Sequence, residues 1–118
     1  MDTNKSRDDL RQRLNSALEL AEGRRYDLPS TAACRRATDL LQLLAAREWS
    51  EDELDVSVSE GGLIEIIAFS SCQQATIDIH PPGNRTEMVV VDTESGTVLQ
   101  SAGAANDEDI AGWLGRAA

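Results

Sequence analysis

The hydrophobic pattern of this chain changes its period once, near residue 50. Before that point, apolar residues recur every three or four positions, which places them on one side of a helix. The first such stretch begins at Asp8 and ends at Gly23. The second starts at Pro29 and Ser30, with Ser30 or Thr31 as N-cap, and ends near Arg47. Because the connection between these two stretches is short, the pattern predicts an N-terminal helical hairpin. Its expected inward residues are Leu10, Leu14, Ala17, Leu18, Ala21, Ala33, Cys34, Ala37, Leu40, Leu41 and Leu44.

After residue 50 the apolar positions alternate with polar ones, as expected of strands with one buried face. Glycine and proline at Gly61-Gly62, Pro82-Gly83 and Gly96 mark tight turns between these segments. Strands joined by such short turns must be antiparallel. The predicted strands cover residues 55–59, 63–70, 75–80, 88–91 and 97–100.

The order of elements predicts an α+β domain: an N-terminal helical hairpin, a four- to five-stranded antiparallel meander and a C-terminal helix. Asn106 or Asp107 caps the closing helix, with Ile110, Trp113 and Leu114 inward. With 118 residues, the chain fits one domain spanning 1–118. Residues 1–7 are polar and are expected to fray.

Three helices can cover only one side of such a sheet. If Val56, Ile64, Ile77 and Met88 face the helices, the pleat turns their neighbours to the other side. That side carries acids on four strands with large apolar residues between them, a combination typical of protein interfaces. Strands two and four could instead be buried on both faces, by the third helix or by a second copy. The predicted partner-binding residues are Asp55, Glu65, Ile67, Phe69, Asp78, His80, Glu87 and Val89.

The charge of the chain is unevenly distributed. It has 21 acidic and 11 basic residues and a net charge of -10. Residues 1–47 carry nine bases and seven acids, whereas residues 48–118 carry two bases and fourteen acids. Phosphate would be repelled by such a chain, so direct nucleic-acid binding is not expected. The acidity indicates either a basic partner or simply solubility.

Candidate catalytic chemistry is sparse. His80, the single histidine, lies two residues from Asp78, so both side chains point the same way in a strand. A metal site would need further ligands, and a serine nucleophile would need a strained Gly-x-Ser-x-Gly turn, which is missing from the sequence. Cys34 and Cys72 are interpreted as small core residues, with a disulfide as the alternative. We therefore predict no catalytic residue, metal or cofactor; a small enzyme using Asp78 and His80 is the remaining catalytic alternative.

The leading hypothesis is a small acidic, non-enzymatic binding protein that inhibits or neutralises a basic, nucleic-acid-handling protein. Anti-CRISPR proteins, antitoxins and immunity proteins are the classes that work in this way. The expected partner is a nuclease, a toxin or a nucleic-acid-guided complex. The alternative is a self-associating structural or accessory subunit, a homodimer formed through the open sheet face. With no membrane-length apolar run and no secretion signal in view, we expect a cytoplasmic protein of a bacterial or phage-infected cell.

Overall fold

In the residues that the structure describes, two helices and a five-stranded antiparallel sheet form an α+β fold, which confirms the expected class. The computed structural model describes residues 3–46, 53–70, 72–81, 85–103, 110 and 112, with side chains from residue 11 onward except at position 102. The predicted C-terminal helix, with Trp113 and Leu114, falls outside the described residues. The elements are α1 (Thr3–Gly23), α2 (Thr31–Ala46), β1 (Leu54–Val58), β2 (Ile64–Phe69), β3 (Gln73–Ile79), β4 (Thr86–Asp92) and β5 (Val98–Ala102).

The two helices begin for different reasons. In α2, the Ser30 hydroxyl accepts a hydrogen bond from the backbone N–H of Ala33 at 3.1 Å, so Ser30 is the N-cap, as expected. Helix α1 begins at Thr3, before the predicted start at Asp8, so residues 3–7 are helical although they were expected to fray. These residues include neither proline nor glycine, and extending an existing helix costs little once its nucleus has formed.

The sheet is a simple meander in which every strand pairs with the next one along the chain. Its two edges are β1 and β5. The strand boundaries differ from the sequence prediction by up to two residues. For example, β3 begins at Gln73 rather than Ala75, because Gln73 continues the ladder opposite Asp92. Polar residues such as glutamine give no periodic signal, and only pairing extends the strand through them.

The core lies between the helices and one face of the sheet. Helix α1 packs on α2 and β1, and α2 packs on β2 and β3. Val58, the last residue of β1, is only half-buried and lies at the margin of this core. Ile110 is fully buried in the same core, which confirms its predicted inward role. The buried strand residues are Leu54, Val56, Ile64, Ile66, Ala68, Ala75, Ile77, Ile79, Met88 and Val90.

The connection between the helices is fixed against the β1–β2 turn. The backbone N–H of Asp27 donates to the carbonyl oxygen of Glu60 at 3.3 Å. Gly62 in this turn has a φ of 80°, and a Cβ atom there would lie 3.3 Å from the carbonyl oxygens of Asp27 and Leu28. Glycine is therefore required both by the backbone conformation and by the close approach of the connection. No helix in the described ranges is long and apolar enough to cross a membrane.

Candidate interaction surface

We define the outer face as the side of the sheet opposite the helices. Its side chains form three rows that run across the strands. The acidic row contains Glu65, Asp78 and Glu87, which are direct register partners on β2, β3 and β4. The middle row lies two residues along each strand from the acidic row. It contains Asp55, Ile67, Thr76, Val89 and Ser101. The apolar row, two residues further, contains Phe69, Gln74, Val91 and Val98.

The acidic row places three carboxylates side by side. Neighbouring strands are about 4.8 Å apart, so the backbone positions of the three acids are close to that spacing. The side chains of Glu65 and Asp78 are near enough to share a hydrogen bond. Glu65, Asp78 and Glu87 are all half-buried. Within the described part of the chain, no basic side chain is paired with Glu65 or Asp78. The row is therefore a concentrated source of negative potential on a flat surface.

Burial and the neighbouring acids both affect the pKa of Glu65. Its pKa is raised above the usual value of 4.5, first by burial, then by a side-chain hydrogen bond to Asp78 and by the negative charges of Asp78 and Asp55. The Oδ1 atom of Asp78 is buried and has no hydrogen-bond partner among the described groups. Both observations mean that, among the described residues, Glu65 and Asp78 lack a cation that would compensate their charge.

Glu87, at the β4 end of the row, differs from the other two acids because it has partners. Its Oε1 atom lies 2.9 Å from Nε2 of His80 and 2.6 Å from a terminal guanidinium nitrogen of Arg85. The sequence suggested a pair between His80 and Asp78, but the imidazole contacts Glu87 instead. The backbone N–H of His80 also donates to the carbonyl oxygen of Arg85 at 3.1 Å. His80, Arg85 and Glu87 therefore form a cluster at one corner of the sheet.

Apolar side chains occupy the other rows of the outer face. Phe69 is 41% exposed and Val98 is 57% exposed. Ile67, Val89 and Val91 are half-buried, so the strands that carry them are not fully covered on this side. The sequence predicted apolar residues between the acids. The register instead places three acids together in the acidic row, whereas Asp55 lies in the middle row beside Ile67, and most of the apolar residues lie beside the acidic row.

Four arginines of the first half of the chain belong to the opposite layer. Arg11, Arg13, Arg35 and Arg36 lie on α1 and α2, which pack against the inner face. The Nε atom of Arg36 donates to the hydroxyl of the buried Thr86 at 3.3 Å, on the inner side of β4. Arg36 therefore reaches the sheet from the side opposite the acidic row.

The cysteines are free thiols with different environments. Cys34 is half-buried on α2, and burial raises the pKa of its thiol. Cys72 is exposed in the β2–β3 turn, so its predicted place in the core is wrong. It precedes the first residue of β3, and its carbonyl oxygen accepts a hydrogen bond from the backbone N–H of Thr93 at 3.0 Å. Among the described residues, no cluster of three or more His, Cys, Asp or Glu side chains could hold a metal ion.

All eight residues predicted to bind a partner lie on the outer face. The acids and Ile67, Phe69 and Val89 occupy the rows defined above, and His80 lies beyond Glu87 at the corner. The sequence analysis missed Arg85 and Val98 as members of this surface. Arg85 precedes β4, and Val98 reaches the apolar row only through the pairing of β5 with β4. Extending the alternating pattern into the fifth strand would have placed Val98 on this face. The sequence around Arg85 gave no sign of its contact with Glu87.

The comparisons with known proteins give no match: no family model, no curated protein and no solved structure is similar to this chain.

Proposed function

We propose that this chain is a small acidic, non-enzymatic binding protein that occupies a basic site on another protein, one whose basic site normally holds nucleic acid. It would act in the cytoplasm, as an inhibitor or neutraliser of the anti-CRISPR, antitoxin or immunity-protein type. The observation that carries the proposal is the acidic row of Glu65, Asp78 and Glu87 on a face that no described helix covers.

The electrostatics of the row favour a cationic partner. Glu65 and Asp78 lack a compensating base in the described chain, and a partner's lysine or arginine would supply it. Complementary charge mainly accelerates association and selects the partner.

Apolar side chains of the middle row and the apolar row would slow the dissociation of the complex. Phe69 and Val98 are already exposed, so a partner can cover them without any rearrangement of the fold. Aromatic side chains near the centre of an interface often contribute most of its binding energy. Phe69 is therefore the expected anchor, with the acidic row beside it setting the orientation.

The same charge distribution disfavours the alternative of a homodimer closed through this face. Such a dimer would place the acidic row and Asp55 of one copy opposite the outer face of the other. The nearby cation, Arg85, is already engaged by Glu87 within the same chain. Like charges brought together in this way repel, so a basic partner is a better occupant than a second copy.

The test compares two double variants with the same change in net charge. Glu65→Gln with Asp78→Asn removes two charges from the acidic row, whereas Asp39→Asn with Glu94→Gln removes two from exposed positions on α2 and in the β4–β5 turn. Immobilised wild type and both variants are used to capture proteins from the source cell. The proposal expects a basic protein that wild type and the control variant retain and the acidic-row variant loses.

The captured protein is then purified for two measurements. Its association rate with wild type should fall as salt rises, and its nucleic-acid ligand should compete with this chain for the same site. Its activity on nucleic acid should fall when this chain is added. A partner that is acidic, that binds both double variants equally, or whose activity is unchanged would overturn the proposal.

A further inference from the structure

We propose that Arg85 is an autoinhibitory cation of the acidic row: it pairs with Glu87 in the free chain and must be displaced from that carboxylate when a basic partner binds. This role rests on the proposed function, because it concerns the strength of binding at the same face. It also goes beyond that function, since removal of a residue outside the row is expected to tighten binding.

Arg85 is held at the β4 end of the acidic row by strand pairing. Its carbonyl oxygen accepts a hydrogen bond from the backbone N–H of His80 at 3.1 Å, which extends the β3–β4 ladder by one step. Side chains two residues apart along a strand point to the same side, so Arg85 and Glu87 share the outer face. A terminal guanidinium nitrogen of Arg85 lies 2.6 Å from Oε1 of Glu87. This end of the row therefore already holds a cation.

This cation divides the three carboxylates of the row into two kinds. Glu87 is paired with Arg85 and His80, whereas Glu65 and Asp78 have no basic partner among the described residues. A partner that brings several lysines or arginines to the row meets two uncompensated carboxylates and one that is occupied. It also meets repulsion from the guanidinium of Arg85, since unit charges about 4 Å apart interact appreciably even in water.

The Arg85 side chain can leave Glu87 at little cost to the fold. It is 60% exposed, and its other described side-chain contact is a long hydrogen bond of 3.5 Å from Nε to the carbonyl oxygen of Gly103. Exposed ion pairs of this kind contribute little to folding stability. A cation that a partner holds in place by other contacts can therefore take over the carboxylate while Arg85 turns into solvent.

A fluorescently labelled hexa-arginine peptide is the probe, and its dissociation constant is measured by fluorescence anisotropy in about 50 mM salt, where screening is weaker than at physiological salt. Arg85→Gln should bind the peptide about threefold more tightly than wild type, because a nearby cation is removed and Glu87 is freed. Arg11→Gln is the matched control, since Arg11 is exposed on α1 in the opposite layer and its substitution changes the net charge equally. This control should change the affinity by less than about twofold.

A double-mutant cycle separates the local contact from a general loss of positive charge. In a Glu87→Gln background, removal of Arg85 frees no carboxylate, so the gain from Arg85→Gln should shrink to that of the control. Amide NMR shifts of residues 65, 78 and 87 locate the peptide on the row, and circular dichroism checks that each variant is folded.

Three results would overturn the role of Arg85: equal or weaker binding by Arg85→Gln, a gain that persists without Glu87, and peptide-induced shifts confined to residues away from the row. The capture experiment judges the proposed function separately, because it depends on Glu65, Asp78 and a cellular protein. A basic partner lost by the acidic-row variant would leave the proposed function standing even where Arg85→Gln brought no gain.

Discussion

Replacing Asp78 by asparagine should stabilise the fold at neutral pH. The substitution removes the charge directly opposite Glu65 and converts the unpartnered buried Oδ1 from a carboxylate oxygen to an amide oxygen. Like charges directly opposite on antiparallel strands cost about 0.2–1 kcal/mol. With the relief at Oδ1, we expect the free energy of unfolding at pH 7 to rise by about 1 kcal/mol. For a domain of about 100 residues, this corresponds to an increase in Tm of about 4–8 °C.

The pH dependence gives a second signature of the same interaction. Because the pKa of Glu65 is raised above 4.5, the folded state binds more protons than the unfolded state between 4.5 and the raised value. The contribution of Glu65 to the free energy of unfolding is therefore greatest below pH 4.5 and falls as the pH rises from 4.5 through the raised pKa. In Asp78→Asn the pKa of Glu65 should move down but stay above 4.5, because burial and the charge of Asp55 remain. The decrease in stability with pH should become smaller.

Urea unfolding at several pH values and carboxyl NMR titration of Glu65 measure these effects. The urea m-value should be unchanged, which keeps the comparison of free energies valid. Glu94→Gln, which removes an equally charged but exposed side chain in the β4–β5 turn, should change stability by less than about 0.5 kcal/mol. A destabilised Asp78→Asn protein, or a Glu65 pKa that does not move, would refute the coupling between the two carboxyl groups.

Three further substitutions test the fold that presents the outer face, each by chemical denaturation. Leu44→Ala should destabilise by about 3 kcal/mol, because Leu44 is fully buried and its removal leaves a cavity; a loss below about 1 kcal/mol would contradict its core position. Ser30→Ala should cost about 1 kcal/mol or more, because it removes both the hydrogen bond accepted from the Ala33 N–H and the one that the hydroxyl donates to the Pro81 carbonyl oxygen, and Ser30→Thr, which keeps a hydroxyl, should restore much of it. Gly62→Ala should cost more than about 1 kcal/mol, since alanine disfavours a φ of 80° and its Cβ would crowd the Asp27 carbonyl; an unchanged midpoint would argue against that close approach.

The sequence alone was sufficient to predict the class of fold and the two faces of the sheet. Strict alternation around Val56, Ile64, Ile77 and Met88 assigns each side chain to a face, because the side-chain period of a strand is two. The N-cap at Ser30 could also be predicted from the local sequence, because it depends only on a side chain that reaches a backbone N–H three residues away. The helical start at Thr3 was not found, because polar residues at a helix end carry no periodic signal.

The arrangement of the candidate surface was decided by tertiary structure. Whether Glu65, Asp78 and Glu87 stand in one row depends on strand register, and a shift of two residues would separate them without changing any face. His80 contacts Glu87, its diagonal neighbour on β4, rather than Asp78, two residues back on its own strand. Both positions lie about 7 Å from His80 along the sheet, so spacing does not decide between them, and the side chain of Asp78 is hydrogen-bonded to Glu65 instead. Sequence period thus determines which side a residue faces, and pairing between strands determines which charges meet there.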